Sequence, residues 1–501
     1  MPSGATPGRH ILRGSAWMIG LRWSLRLTGI VSTAILARLL TPGDFGVVAL
    51  AMLFVGFVEI LGDTGERLAL IRIPAPDRSY YDTAFSLQLL IGLVTAVAVF
   101  ALAPLSLHYF HEPRAVPVMR FLALRAVLSG LENIGTVDFR RDFRFQSAFA
   151  LGLRAKLISL LATLGLALWT HSYWALAIGI VVNQGATTVF SYMMHPYRPR
   201  FSLARRQEIY GFSLWTLLRS VGIYLTSQID QFAIGGFAAT GMLGRYAVAM
   251  DVATSPTSEI HEPVVGVLYP VFSKCQHDRS AVAALFRRVF GWSVIICAAT
   301  GAGLGAVAPD YCLLLLGPQW VGVAPLIPIL AVAASLVCVG NATDPLFDTL
   351  GMPRWSATLQ WMRLAVLACG IALAAILWRD TAAIAWMRLA AGLFCAPAIL
   401  LAAAKAAGFD ARAYLPLVWR PILSALVMTG LVSVLHALLP PSPLLRLAIE
   451  VPAGASAYAA SLLLLWSIAK CPAGAEAEAF EMIRRQCGSL RAKWMVRAPS
   501  L

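Results

Sequence analysis

Two arginines four residues apart, Arg22 and Arg26, stand inside one apolar stretch, and Arg219 falls at the corresponding depth of a second. On a helix a spacing of four puts both guanidiniums on one face. A guanidinium is permanently charged and carries a fork of donors that matches phosphate, so a cavity lined this way suits a phosphate-bearing ligand better than a cation. Arg154 and Lys156, in a further apolar run, would extend the lining; the simpler account of that pair is that they snorkel to a membrane interface. Asp230, in Ser227-Gln228-Ile229-Asp230-Gln231, and Asp251 are the acids expected to be buried. Either can pair with an arginine, as a structural bridge or as a proton- or cation-sensitive coupling or gating group, because ionisable residues in lipid are costly to keep without a role.

Other chemistries find little footing. None of the lysines Lys156, Lys274, Lys405, Lys470 and Lys493 follows a glycine, so there is no G-K-[ST] phosphate loop and no ATPase of that kind. A D-x-D motif is missing as well, and no loop before the tail is long enough to carry the acidic groups of a membrane glycosyltransferase, polymerase or ligase. His108-Tyr109-Phe110-His111-Glu112 looks like a metal site but lacks further ligands nearby. His261 and Glu262 beside Glu259, and His436 near the end of an apolar run, read as packing residues with satisfied hydrogen bonds. The eight cysteines show no CxxC spacing and read as small core residues. Neither a cofactor nor a metal is expected.

Lipid must be the solvent for the elements that position these residues. Charged residues are 13% and hydrophobic residues 59% of the 501, with a mean hydropathy of +0.73, whereas water-soluble domains carry about 25% charge. Apolar runs long enough to cross the bilayer as helices recur near 16–38, 45–62, 83–106, 116–137, 147–168, 173–194, 212–237, 244–270, 287–308, 322–342, 356–378, 382–404, 415–438 and 447–469. They predict an all-α polytopic membrane protein of about fourteen transmembrane helices, since continuous runs do not fit the alternating strands of a barrel. The first run follows Arg9 and Arg13 and lacks a small-residue cleavage site, so no removed signal peptide is expected.

The net charge of +15 is a topology signal. Arg140, Arg141 and Arg144, then Arg198, Arg200, Arg205 and Arg206, then Lys274, Arg279, Arg287 and Arg288, all fall on the side of the N-terminus, as do the tail arginines. The positive-inside rule therefore puts both termini in the cytoplasm, and nucleic-acid binding is not implied.

A shift of 198 residues pairs Gly46 with Gly244 and Val48-Ala49-Leu50-Ala51-Met52 with Tyr246-Ala247-Val248-Ala249-Met250. This echo predicts two six-helix bundles related by a pseudo-two-fold repeat plus two C-terminal helices, with the substrate path between the halves. The expected order is a cytoplasmic N-terminus (1–15), a first half (16–200), a second half (201–406), two added helices (407–470) and a basic amphipathic tail on the inner lipid surface (471–501). In Thr41-Pro42-Gly43-Asp44, Thr41 is placed to cap a helix that Pro42 begins, with Asp44 at its positive end.

Three stretches carry a resemblance. Ile35-Leu36-Ala37-Arg38-Leu39-Leu40-Thr41-Pro42-Gly43-Asp44-Phe45-Gly46 resembles the opening signature of bacterial polysaccharide flippases of the Wzx and WzxC-like type, in the multidrug/oligosaccharidyl-lipid/polysaccharide exporter superfamily. Ser227-Gln228-Ile229-Asp230-Gln231-Phe232-Ala233-Ile234-Gly235 with Gly244-Arg245-Tyr246-Ala247 is similar to its second signature, and Leu314-Leu315-Leu316-Gly317-Pro318-Gln319-Trp320 to its third. The likeness covers roughly residues 10 to 360. It implies movement of undecaprenyl-pyrophosphate-linked oligosaccharide across the bacterial inner membrane by alternating access, for O-antigen, capsule or exopolysaccharide. Under that reading Arg22, Arg26 and Arg219 hold the pyrophosphate, the protein is a monomer, and a polysaccharide polymerase with its chain-length machinery is a partner. One departure is Glu66-Arg67, where the family more often has a small apolar pair, so the local gate does not transfer residue by residue. The alternatives are a cation-coupled drug exporter or a lipid II flippase of the same superfamily, or a membrane polysaccharide polymerase or ligase.

Overall fold

The structure, a computed structural model, describes residues 28–62, 65–73, 76–142, 144–209, 214–274, 278–470 and 475–478. Among the described residues the regular elements are all helical, as a chain in lipid requires when each segment must satisfy its own backbone. They run α1 (Thr28–Leu39), α2 (Pro42–Gly62), α3 (Glu66–Arg72), α4 (Arg78–Leu102), α5 (Ser106–Phe110), α6 (Ala115–Gly130), α7 (Asp138–Arg141), α8 (Phe145–Thr170), α9 (Trp174–Met194) and α10 (Arg206–Ile209). There follow α11 (Leu214–Phe237), α12 (Thr240–Lys274), α13 (Arg279–Tyr311), α14 (Leu326–Asn341), α15 (Asp344–Thr349), α16 (Pro353–Leu377), α17 (Thr381–Ala407), α18 (Leu415–Leu438) and α19 (Pro443–Ile468). Ten described segments are long and apolar enough to cross a membrane. The other expected spans are the stretch 16–38, described only from Thr28, and α6, α11 and α12, which are shorter or interrupted by charge.

The start of α2 shows how local chemistry sets a helix end. The Asp44 carboxylate accepts from the Thr41 backbone N–H at 2.9 Å and from its hydroxyl at 2.6 Å, while the Asp44 N–H reaches Thr41 Oγ1 at 3.3 Å. Donors that the first turn would otherwise leave bare are thereby satisfied, with Pro42 at the position where a missing N–H does no harm.

Gly46 of α2 and Gly244 of α12 meet. A Cβ on Gly46 would lie 1.8 Å from the Thr240 carbonyl oxygen, and one on Gly244 would lie 1.9 Å from the Pro42 carbonyl oxygen. Thr240 and Pro42 are themselves related by the shift of 198, so the contact is reciprocal, as across a two-fold axis. Only glycine allows the two helix starts to come this close.

The chain forms two compact units, Met1–Val248 with Leu315–Val323 and Gln360–Ile384, and Ala249–Leu314 with Ala324–Leu359 and Ala385–Leu501. In the first, the third signature segment lies on the first. Trp320 is fully buried, its indole N–H donates to the Ala37 carbonyl at 2.7 Å, and its ring meets Phe45 edge-on at 5.2 Å. Gln319 donates to the carbonyls of Ala37 and Leu40. In the second, Phe286, Phe290, Phe409 and Tyr414 form an aromatic core where α13 meets the start of α18.

Candidate functional site

A cavity of about 400 Å³ with charged residues in its walls opens within the first unit between α2, α3, α4, α6 and α9. Its position follows from a close helix crossing. A Cβ on Gly92 of α4 would lie 2.7 Å from the Ala126 carbonyl oxygen of α6, and that proximity lets Gln88, one turn away, reach the frayed end of α6. The Gln88 amide nitrogen donates to the carbonyls of Ser129, Gly130 and Glu132 at 2.9, 3.2 and 2.9 Å, at and just past the C-terminal end of α6.

Two ion pairs line the cavity. Arg125 Nη1 of α6 lies 2.8 Å from Glu59 Oε2 of α2, both half-buried. Arg67 Nη2 of α3 lies 2.9 Å from Glu132 Oε2, and its Nε donates to Gln88 Oε1 at 3.3 Å. The Glu132 side chain is 9% exposed and that of Arg67 41%, so the carboxylate is the buried partner. Glu66 adds a third carboxylate to the lining. Taking a charge from water is costly unless it is paired, which explains why each guanidinium is held by a carboxylate. The same fork binds phosphate, and the mixture of amide, carboxylate and guanidinium presents donors and acceptors together, as sugar hydroxyls require.

The sequence singled out a different set. Arg22 and Arg26 lie outside the described residues, as does the Arg219 side chain, although its backbone is in α11. Arg154 is exposed and Lys156 half-buried on α8, and residues two apart on a helix point to different sides. Asp230 is fully buried, and the Tyr246 hydroxyl, itself fully buried, donates to its carboxylate at 2.7 Å. Asp251 corrects the expectation of burial: it is exposed, on α12. The cavity charges Glu59, Arg125 and Glu132 were missed although each interrupts an apolar run, the same signal that drew attention to Arg22. Arg67 stood out only as a departure from the family pattern, and that departure is one half of an ion pair.

The remaining candidates resolve as packing or loop chemistry. His261 is buried with Nε2 2.9 Å from Ser293 Oγ. Glu112 accepts from Arg114, which holds its carboxyl below the usual range. After α9, burial pushes the His195 imidazole below its ordinary value, opposed by Asp138 at 3.3 Å. Tyr197 there is pushed up by burial and by its bond to Asp82 at 2.6 Å.

Ten described helical segments of bilayer length and apolar composition define a multi-pass membrane protein. The chain belongs to the polysaccharide biosynthesis protein family, whose pattern matches residues 35–325. It is 26% identical over 336 residues to the lipopolysaccharide biosynthesis protein WzxC of Escherichia coli (strain K12), covering 64% of this chain and 68% of that one. It is also 26% identical over 366 residues to the succinoglycan biosynthesis transport protein ExoT of Rhizobium meliloti (strain 1021), covering 71% and 72%. In fold it resembles the lipid II flippase MurJ in an inward closed conformation, with a TM-score of 0.71 at 10% identity over 90% of this chain and 99% of that one.

Proposed function

We propose that this protein is a flippase that carries undecaprenyl-pyrophosphate-linked oligosaccharide from the cytoplasmic to the periplasmic leaflet of the bacterial inner membrane, by alternating access between two six-helix halves followed by two further helices. The observation that carries the reading is the cavity in which Arg67 and Arg125 are each held by a carboxylate. Such a pair keeps a guanidinium soluble in lipid surroundings and surrenders it when a ligand offers phosphate oxygens in place of the carboxylate. Membership of the polysaccharide biosynthesis family and the transport named for one relative support the substrate class. Arg22, Arg26 and Arg219 hold the pyrophosphate, Arg154 and Lys156 extend the basic lining, and Asp230 and Asp251 serve coupling or gating. Both termini lie in the cytoplasm, and a polymerase receives the product.

The test is the leaflet distribution of the lipid-linked oligosaccharide in a deletion strain, read with a periplasm-restricted glycosidase or lectin on spheroplasts. Accumulation on the cytoplasmic side, reversed by the wild-type gene and not by the Arg22→Ala/Arg26→Ala variant, supports both substrate and site. Oligosaccharide that reaches the periplasmic side and merely fails to polymerise rejects the flippase in favour of an assembly enzyme.

A second reading has one observation behind it: the cavity lining holds three carboxylates against two guanidiniums, which suits a cationic solute. Cation-coupled drug export would show as wild-type protein lowering the accumulation of a cationic dye, an effect lost with Glu66→Gln.

A further inference from the structure

We infer that Asp310, His436 and Glu450, at one end of the second unit's helices α13, α18 and α19, form a proton-binding site. The three helices pack on one another, and each brings titratable groups to the same place: Asp310 from α13, His436 from α18, and Arg446 and Glu450 from α19. Tyr311 is Asp310's neighbour in the chain, and α14, which also packs on α13, carries no Asp, Glu, His, Lys or Arg along its length. Farther along the bundle, Tyr458 donates to the Ile295 carbonyl at 2.8 Å and takes no part.

His436 stands at the centre. Its Nδ1 lies 3.1 Å from Glu450 Oε1 and 3.3 Å from Asp310 Oδ2, and its Nε2 lies 3.2 Å from Arg446 Nη1. The Glu450 side chain is fully buried and that of Asp310 is 8% exposed. Arg446 Nη1 is 4.0 Å from Asp310 Oδ1, and its Nη2 donates to the Leu439 carbonyl at 3.1 Å.

An arginine can only donate, so Nε2 must be the bare, accepting nitrogen, and the ring proton sits on Nδ1. One N–H then faces two carboxylates. It serves Glu450 Oε1, while Asp310 Oδ2 and Glu450 Oε2 are buried without a hydrogen-bond partner. The charge count is also one short: two carboxylates answer to a single guanidinium, and ligand oxygens of both lie within 4.8 Å of each other and of Nδ1. Two carboxylates this close, with one N–H between them, are one hydrogen short of satisfying their buried oxygens. A proton on one carboxyl supplies the missing charge and turns an orphaned oxygen into a donor. Protonating His436 instead would set two donors, Nε2–H and Arg446 Nη1–H, against each other.

The spacing of the three groups also fits a divalent cation, but the tautomer argues against one. A metal on Nδ1 would take its lone pair and move the ring proton to Nε2, where Arg446 already points a donor. The ligand is therefore a proton, whatever the chain transports.

The experiment uses purified full-length protein in nanodiscs without substrate, followed by infrared spectroscopy as pH is raised. The expected result is a protonated-carboxyl band that fades with rising pH and is missing from Glu450→Gln or from Asp310→Asn, both isosteric and both checked for unchanged helicity and elution. Nitrogen NMR of labelled histidine in the wild-type protein, assigned by loss of a signal in His436→Gln, should show Nδ1 protonated and Nε2 bare. Absence of the band at every pH, or its survival in both variants, overturns the proposal. So does calorimetric binding of Zn²⁺ or Mn²⁺ that Glu450→Gln abolishes, which would make this a cation site. Failure here leaves the leaflet assay untouched, and failure there leaves this result standing.

Discussion

In the first unit, Glu59 meets Arg125 at 2.8 Å and Glu132 meets Arg67 at 2.9 Å, with Gln88 filling the hydrogen bonds left over. In the second, Asp310 and Glu450 share one imidazole and one guanidinium, and buried oxygens are left without partners. Both arrangements place charge among apolar helices, yet in one each guanidinium has a carboxylate of its own and in the other buried carboxylate oxygens lack a donor. A matched pair is stable until a competing anion arrives, so it suits exchange with a ligand. A cluster with more buried acceptors than donors has room for one more hydrogen, so under the inference above it holds a proton.

Removing one partner from each site tests that contrast most severely. Arg125→Ala leaves Glu59 lining the cavity alone, with an expected cost of about 2 kcal/mol in stability and at least about a tenfold fall in export. In Arg125→Met combined with Glu59→Met, denaturation midpoints of the purified protein should recover while export stays low. Equal loss of stability in single and double variants would mean that the pair is not a unit. Glu132→Gln takes the ionic partner from Arg67, which is exposed enough to be rehydrated, so the expected cost is about 1 kcal/mol. Glu450→Gln should move the other way, neutral or up to about 1 kcal/mol more stable, because the amide brings its own donor to the cluster and no bound proton is needed. If thermal unfolding shows Glu450→Gln to be the more damaging of these two, the distinction between matched and unmatched sites fails.

The smallest effect is expected after α9. Above 6.5 the His195 imidazole is neutral in folded and unfolded chains alike and contributes nothing. As pH falls below 6.5 the unfolded chain takes up a proton that the buried ring resists, so stability declines with acid. His195→Gln should flatten that acid arm in a pH series of melting curves, and an unchanged arm would assign the acid sensitivity elsewhere.

Much of the helical framework was legible because apolar runs of bilayer length have one solution in lipid. Turn chemistry was equally readable, as Thr41 and Asp44 show. The third signature is explained too: Gln319 and Trp320 are held against the backbone of the first, so those residues secure a packing contact. The cavity was harder. Glu59, Arg67, Arg125 and Glu132 come from separated segments, and nothing in linear order says which acid meets which base. The intramembrane arginine that looked most like a ligand site by spacing was the Arg22 and Arg26 pair, while those in the cavity are spaced by tertiary contact alone. Asp230 and Asp251 illustrate the same limit. Both interrupt apolar helices, but one is buried against Tyr246 and the other is exposed, a difference set by tertiary packing rather than by composition.

The meeting of Gly46 with Gly244 has an evolutionary consequence. A contact between equivalent positions is what two copies of a single ancestral repeat would make with each other, and in such an assembly every mutation would have struck the seam twice. In a single chain the two positions mutate separately, yet a methyl group on Gly46 would lie 1.8 Å from the Thr240 carbonyl oxygen and one on Gly244 1.9 Å from the Pro42 carbonyl oxygen, so neither can change without the other helix giving way.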